Sequence, residues 1–251
     1  MTLQKRSKIF IGIGVIAVIV VVIPLSAFTI VNLNSIQFQL LDIAGIKIEA
    51  YGIRIYVDPY NLPESFRTLT ADIILITHPH FDHYQNTSMD LLQKEGTVNI
   101  FPEYMADAIT LYDGVSVNPG DELEFGPIHI TAFFAYYPAD GPTLTTHAKE
   151  YNWTSYIIDV NGFTFFHSGD SQNIDEYSQL TGIIDAALLC IDCTDGNGII
   201  EALNVIHPRY FVPIHYSGLS KQNFFTYYAA SITNCIIVNL EYYQPYAFPR
   251  F

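Results

Sequence analysis

The pattern of hydrophobic and polar positions divides the chain into one long uncharged stretch and a succession of short runs. Residues 9–31 carry no charged side chain, and Lys5, Arg6 and Lys8 stand just before them. A stretch of that length spans a bilayer as a helix. Leu25-Ser26-Ala27 is a poor small-x-small cleavage site because Leu25 is bulky, so the pattern predicts an uncleaved signal anchor. Pro24 is expected to kink this helix, which membranes tolerate. With the flanking positive charge on the near side, the N-terminus is expected in the cytoplasm, and the rest of the chain outside the cell membrane.

Beyond the stretch the runs are short and rich in β-formers. Residues 35–41, 46–50 and 53–57, with Gly45 and Gly52 as turn residues, predict a strand meander ending at Asp58-Pro59. The run Ile73–Ile76 is uninterrupted and mostly β-branched, which predicts a strand buried on both faces. Further strands are predicted at 98–101, 115–117, 122–125, 128–135, 186–191, 210–214 and 235–240. A hairpin joins 154–160 to 163–167, since Asn161-Gly162 between β-rich runs favours a type I′ turn. Helices are predicted at 88–93, 103–112, 174–180, 199–205 and 221–230, and a polar loop at 136–151. The strands meander first and then alternate with helices in each half. That order predicts an α/β fold of two sheets face to face with helices outside.

The strand at 73–76 ends in Thr77 and then His78-Pro79-His80-Phe81-Asp82-His83. Three of the chain's 8 histidines therefore fall within this short segment, with a carboxylate among them. Histidine and aspartate are the ligand types that suit zinc and similar divalent ions. Alternation in an extended segment sends His78 and His80 to the same side, while Asp82 and His83 follow a bend and address a second point. One pair per metal is the natural reading. A helix cap is the bland alternative, but a cap needs one side chain and not four.

T-H-x-H-x-D-H after a buried strand resembles the signature of the metallo-β-lactamase fold superfamily. The surrounding motifs resemble the small metal-dependent hydrolases related to the ascorbate-6-phosphate lactonases. These motifs are, in order, Asp58-Pro59, His78 to His83, a lone His147, Gly169-Asp170 and Pro213-Ile214-His215, within residues 36–216. The resemblance implies an αββα four-layer sandwich, placed over residues 33–251, while the apolar run and its basic flank make residues 1–32 the cytoplasmic tail and transmembrane anchor. It also implies two divalent ions, zinc first, with Mn2+ or Fe2+ as alternatives. His78, His80 and His147 would bind one ion, Asp82, His83 and His215 the other, and Asp170 would bridge them. Asp82 and Asp170 count on that pattern as catalytic too, and Asp58 would orient a ligand or its loop. Two ions about 3.5–4 Å apart can share a hydroxide at neutral pH. Its target would be the carbonyl or phosphoryl centre of an ester, lactone or phosphoester. His129, inside a predicted strand, is the rival of His147 and is expected to be structural. His167 is expected to support the site or merely to pack, and Tyr136, Tyr137 and Tyr216 are candidate pocket residues.

The chain departs from the family pattern at two places. Asp42-Ile43-Ala44-Gly45 stands where a Gly-His pair is common, and Asp192–Gly198 replaces a Gly-rich loop. The metal centre is expected to survive both changes, and the substrate pocket to differ.

Composition then narrows the partners. With 3 of the 11 Lys and Arg before the apolar stretch, 8 remain against 25 Asp and Glu, a balance of −17 over the rest of the chain. So acidic a domain repels a nucleic-acid backbone, which leaves a small-molecule or lipid-derived substrate and the membrane itself. The 3 cysteines provide no disulfide framework. Cys190 and Cys193 form a C-x-x-C without a second pair to complete a zinc site. They read as small buried residues at a strand end, with a local disulfide as the alternative outside the cell. The resemblance also brings three competing functions. One is a phosphodiesterase acting on lipid head groups, and another is a non-catalytic metal-binding scaffold. The third, a redox di-iron protein of the same fold, would carry Glu where His80 stands.

Overall fold

Ile73 and Leu75 belong to one hydrophobic core, Ile74 and Ile76 to another, and all four are fully buried. This strand is thus sandwiched on both faces, as its uninterrupted apolar run requires. The computed structural model describes residues 19–20, 35–138 and 146–249. One sheet contains β1 (Ile19–Val20), β8 (Glu122–Phe125), β9 (Ile128–Phe134), β10 (Thr154–Val160), β11 (Phe163–His167), β12 (Ala186–Cys190), β13 (Tyr210–Ile214) and β14 (Ile236–Ile237), in that spatial order. The other runs from β15 (Pro245–Pro249) through β2 (Ser35–Leu40), β3 (Ile46–Ala50), β4 (Ile53–Val57), β5 (Ile73–Leu75) and β6 (Val98–Pro102) to β7 (Val115–Val117). Within each sheet an antiparallel part gives way to a parallel one, β4 to β7 and β11 to β14.

The core between the sheets joins Phe38, Val57 and Leu75 to Ile130, Ile158 and Phe165. Burying each such side chain contributes about 1.5–3 kcal/mol. On the outer face of the β2–β7 sheet, Tyr56, Ile74 and Phe101 meet Met89 and Leu92 of α1 (Asn86–Leu92) and Ala108 of α2 (Ala106–Tyr112). The opposite sheet is covered by α3 (Gly196–Ile206), which buries Ile199, Ala202, Leu203 and Ile206, and by α4 (Gly218–Tyr227). Tyr210 packs on Phe248 across the sandwich, so alternation turns Phe211 outward, where Phe224 of α4 meets it at 5.8 Å. These layers are the αββα sandwich expected.

Several elements differ from expectation. The strand predicted at 235–240 is reduced to Ile236–Ile237, and the helix at 174–180 is a 3-10 segment, Asp175–Leu180. α4 begins before the predicted 221 because Ser217 and Ser220 form a capping box. β15 has no counterpart among the predicted strands, since Pro245 and Pro249 argue against one. It is tolerated because it is an edge strand, paired on one side only with β2. The predicted transmembrane helix at 9–31 lies outside the described residues except for Ile19 and Val20. Those two are strand rather than helix, pairing parallel to Leu123 and Glu124. Among the described residues no helix is long and apolar enough to cross a membrane.

Candidate metal centre

Chain segments leaving β4, β5, β11 and β13 converge at one end of the sandwich. β4 is followed by Asp58, β5 by Thr77 and His78, β11 by Gly169 and Asp170, and β13 by His215. A rigid sheet behind each loop fixes where these side chains start. Gly169 lies close against Thr77, which follows β5 of the other sheet. It sits at φ 54°, and a Cβ there would lie 3.0 Å from Thr77 Cβ. A glycine therefore brings Asp170 alongside His78. His215 is also left-handed, at φ 51°, and its N–H donates to the Ile43 carbonyl across 2.9 Å. The Asp42–Gly45 loop thus braces the site through its backbone, which explains how it can lack a Gly-His pair.

All seven predicted ligands come together. The donor atoms of His78, His80, His147 and Asp170 lie within 4.8 Å of one another, and so do those of Asp82, His83 and His215. Asp170 faces both groups. Its Oδ2 is 3.8 Å from His78 Nε2, 3.6 Å from His147 Nε2 and 3.4 Å from His215 Nε2, and its Oδ1 is 3.0 Å from His83 Nε2. Asp82 Oδ2 closes the second group at 3.3 Å from His215 Nε2.

The ring orientations follow from hydrogen bonds behind the site. Buried Asp58 accepts the Thr77 N–H at 2.8 Å and the Thr77 hydroxyl at 2.6 Å. The threonine oxygen, having donated its proton, accepts the Nδ1–H of His78 at 2.9 Å, leaving the Nε2 lone pair facing inward. Asp58 also accepts Nδ1–H of His83 at 2.8 Å, with the same result at His83 Nε2. His147 Nδ1 meets Thr146 Oγ1 at 3.1 Å. Fixing one ring nitrogen so that the other can ligate is the usual outer support of a metal-binding histidine.

Electrostatics separate the two groups. Burial, reinforced by the neighbouring imidazoles, holds His78 and His80 below the usual histidine range and so keeps them neutral. Burial would also depress His83 and His215, but there the carboxylates prevail. Asp170 and Asp58 lift His83 well above its ordinary value, and Asp82 lifts His215. Burial alone would raise the Asp170 carboxyl, yet His83 and its neighbours hold it far below the carboxylate range.

The residues fit a metal centre. Nε2 of His83 and His147, both ring nitrogens of His215 and Asp170 Oδ1 are buried without a hydrogen-bond partner. Such orphaned atoms are expensive unless something satisfies them. Without a proton on Nε2, His83, whose Nδ1–H is given to Asp58, would present a lone pair to a carboxylate oxygen 3.0 Å away, an opposition that its raised affinity for a proton also expresses. A cation relieves that opposition, and imidazoles with carboxylates are a donor set for zinc-like divalent ions.

Other candidates sort clearly. His129 is exposed, 3.5 Å from Glu124 and outside both groups. His167 donates from Nε2 to the Ala44 carbonyl and accepts Gly169 N–H at Nδ1, so it holds the turn before Asp170. Tyr137 stacks on His147 at 4.3 Å, whereas Tyr136 is bonded to Glu176 and Tyr216 to the Leu240 carbonyl. Two contributors were not anticipated. Trp153 stands 4.9–5.0 Å from the rings of His78, His80 and His147, a single wall beneath three imidazoles. Thr77, the first letter of the motif, passes Asp58's influence to His78. Trp153 follows the His147 loop directly and is the chain's only tryptophan, which was the available signal.

A cavity of about 780 Å³ opens beside the centre, lined by Tyr137, Thr146, Gln172, Asp192, Cys193, Asp195 and Glu201 among others. Three of these are carboxylates, and among the described residues no Lys or Arg lines it. Much of its wall is the Asp192–Gly198 segment, where the chain departs from the family pattern.

The sequence family described as the β-lactamase superfamily domain matches residues 37–215, which contain every residue of both groups. A UPF0173 protein of Pyrococcus furiosus is 28% identical over 69% of this chain and 80% of its own length. A UPF0173 metal-dependent hydrolase of Lysinibacillus sphaericus is 29% identical over 68% of this chain and 81% of its own. Among solved structures, a metallo hydrolase of Ignicoccus hospitalis superposes with a TM-score of 0.68 at 17% identity, covering 86% of this chain and 100% of that one. Fold, strand-end ligands and matched segment agree, and the chain belongs to the β-lactamase superfamily.

Proposed function

We propose that this protein is a metal-dependent hydrolase that cleaves a neutral carboxylic ester or lactone. The observation that carries the proposal is Asp170, whose two oxygens face both imidazole groups from one buried position. His78, His80 and His147 would hold one divalent ion, Asp82, His83 and His215 a second, and Asp170 would touch both. Zinc suits the imidazole-rich first group best. Bound ions would supply Lewis acidity and a water ionised near neutral pH. The chain's own residues do the rest. Asp58, through Thr77 and His83, keeps the ring nitrogens aimed inward. Tyr137 lines the cavity and stacks on His147, and burial with Asp170 and Asp82 nearby keeps its phenol protonated. It is therefore placed to donate a hydrogen bond to a substrate oxygen.

Substrate charge follows from the cavity. Asp192, Asp195 and Glu201 repel a phosphate, and among the described residues no lining cation offsets them. This favours a neutral acyl substrate over the phosphorylated lactones of the resembling family and over a lipid phosphodiester. A bare scaffold is disfavoured because every ligand position is filled by a ligand residue. For residues 1–32 the uncharged run at 9–31 and its preceding basic residues favour a membrane anchor, with the catalytic part outside, over the two-residue pairing of Ile19–Val20 with β8, and the two arrangements exclude each other. The test is elemental analysis of chain purified without chelator, followed by a screen of lactones, carboxylic esters, thioesters and phosphodiesters. Two ions per chain and turnover of uncharged acyl substrates are expected. Preferred turnover of a phosphodiester would overturn the substrate assignment, and metal-free protein would overturn the whole proposal.

A further inference from the structure

The two metal groups leave one set of donor atoms unused. Cys190 and Cys193 have sulfurs within 4.8 Å of donor atoms of both Asp170 and His215. They form a disulfide, with Cα atoms 5.5 Å apart, and both are buried. Cys235, the remaining cysteine, is free and outside this group. The contact follows from the strand register. β12 lies between β11 and β13, with Cys190 opposite Ile214, so the turn after Cys190 emerges beside His215. That turn is tied to both neighbours. Cys190 N–H donates to Ser168 Oγ at 3.1 Å, and Gln172 Nε2 to the Cys193 carbonyl at 2.8 Å, on the Asp170 side. Asp192 N–H donates to the His215 carbonyl at 3.2 Å, and Ser217 N–H to Asp192 Oδ2 at 3.1 Å, on the other.

We propose that Cys190 and Cys193 are a redox-controlled ligand position at the Asp170–His215 corner, closed as the disulfide and open to a divalent ion as the dithiol. The inference rests on the metal-centre reading above. A disulfide sulfur is a poor ligand, whereas the thiolate binds zinc-like ions strongly. Opening requires two electrons and two protons. A dithiol reductant supplies both, becoming a cyclic disulfide as the Cys190–Cys193 bond breaks and two thiols form. A thiol that then takes up a metal releases its proton to solvent. The cavity gives access, since Cys193 is part of its wall. In the reduced chain Asp170 and His215 gain a sulfur partner, and the second ion's ligands change from nitrogen and oxygen alone to a set including thiolate. Softer ligands alter which metal is held. The oxidising exterior would keep the site closed.

The test uses the full chain with Co(II) as the probe ion. After a water-soluble phosphine has acted on the folded protein, thiols are counted in denaturant. The phosphine takes up oxygen from water as the disulfide accepts two protons and two electrons, and it contributes no sulfur. The count should rise from one per chain, Cys235, to all 3 cysteines. Visible d–d bands of Co(II) report the nitrogen and oxygen ligands, and sulfur-to-cobalt absorption in the near ultraviolet reports thiolate. Oxidised protein should show the first only, and reduced protein both. The Cys190→Ser/Cys193→Ser double variant should lose the sulfur band, and Cys235→Ser should keep it. Should the double variant fail to fold, alkylation of reduced wild type decides. Co(II) should protect two thiols while Cys235 reacts at an unchanged rate. Visible bands without a sulfur band in reduced protein, a count that stays at one, or absence of protection would overturn the proposal. Absence of both kinds of band would instead remove the metal-centre reading.

Discussion

His83 gives its Nδ1–H to Asp58 Oδ2 across 2.8 Å, and both side chains are completely buried. Among the described residues Asp58 does not line the cavity, yet the same carboxylate aims His83 directly and His78 through Thr77. One side chain thus sets the direction of a ligand in each metal group. Asp58→Asn keeps the shape and tolerates the left-handed backbone at φ 46°, but it removes the negative charge. Metal affinity should fall by about 10–100-fold, measured by competition with a chromogenic chelator. Asp58→Ala should in addition destabilise the fold by about 3–5 kcal/mol, because it strands buried partners. Unchanged affinity in both variants would show that Asp58 has no orienting role.

Metal removal should be visible in stability alone. Nitrogens of His83, His147 and His215 that lack a hydrogen-bond partner would each gain one in the loaded protein. A ligand held at a thousandfold excess over its Kd stabilises by about 4 kcal/mol. For a chain of this size each kcal/mol shifts Tm by about 2–4 °C. Chelator should therefore lower Tm by roughly 8–16 °C, and added zinc should restore it. A Tm indifferent to both would argue that the cluster is a self-sufficient charge network.

Much of this centre was legible because its parts are local in sequence. His78, His80, Asp82 and His83 follow one buried strand, so pattern and chemistry reinforce each other there. His147, Asp170 and His215 were legible only through their order, since each is an ordinary loop residue alone. The sulfur pair could not be placed from sequence, because only the β11–β12–β13 register carries Cys190 to His215. β15 was hidden by its prolines, whose cost depends on being at an edge. Trp153 was passed over because an aromatic at a strand start reads as core, and its three histidine neighbours are assembled by the fold.

That wall predicts a graded effect. Trp153 is buried against the first group's three imidazoles. Trp153→Phe keeps an aromatic face and should retain the first ion. Trp153→Ala opens a cavity, should destabilise by about 3–5 kcal/mol, and should free the histidine rings to turn. Metal content near one ion per chain in the Ala variant, against two in the Phe variant, is the expected readout. Equal content in both would make Trp153 a packing residue only.

The last prediction separates two histidines that sequence alone made rivals. His147 is buried, its Nε2 3.6 Å from Asp170 and its ring stacked on Tyr137. His129 lies on β9 with its side chain 55% exposed, opposite Glu124. Replacing an exposed residue of this kind changes stability by about 0.5 kcal/mol or less. His129→Ala should therefore keep two metals, full activity and an unchanged Tm. His147→Ala leaves His78 and His80 with only Asp170 to complete their site. It should lose roughly one ion and most activity while retaining the folded circular-dichroism signature. Elemental analysis of the two variants side by side decides the matter. Loss of metal in His129→Ala alone would reverse the assignment and make the loop around His147 a cover for the cavity rather than part of the centre.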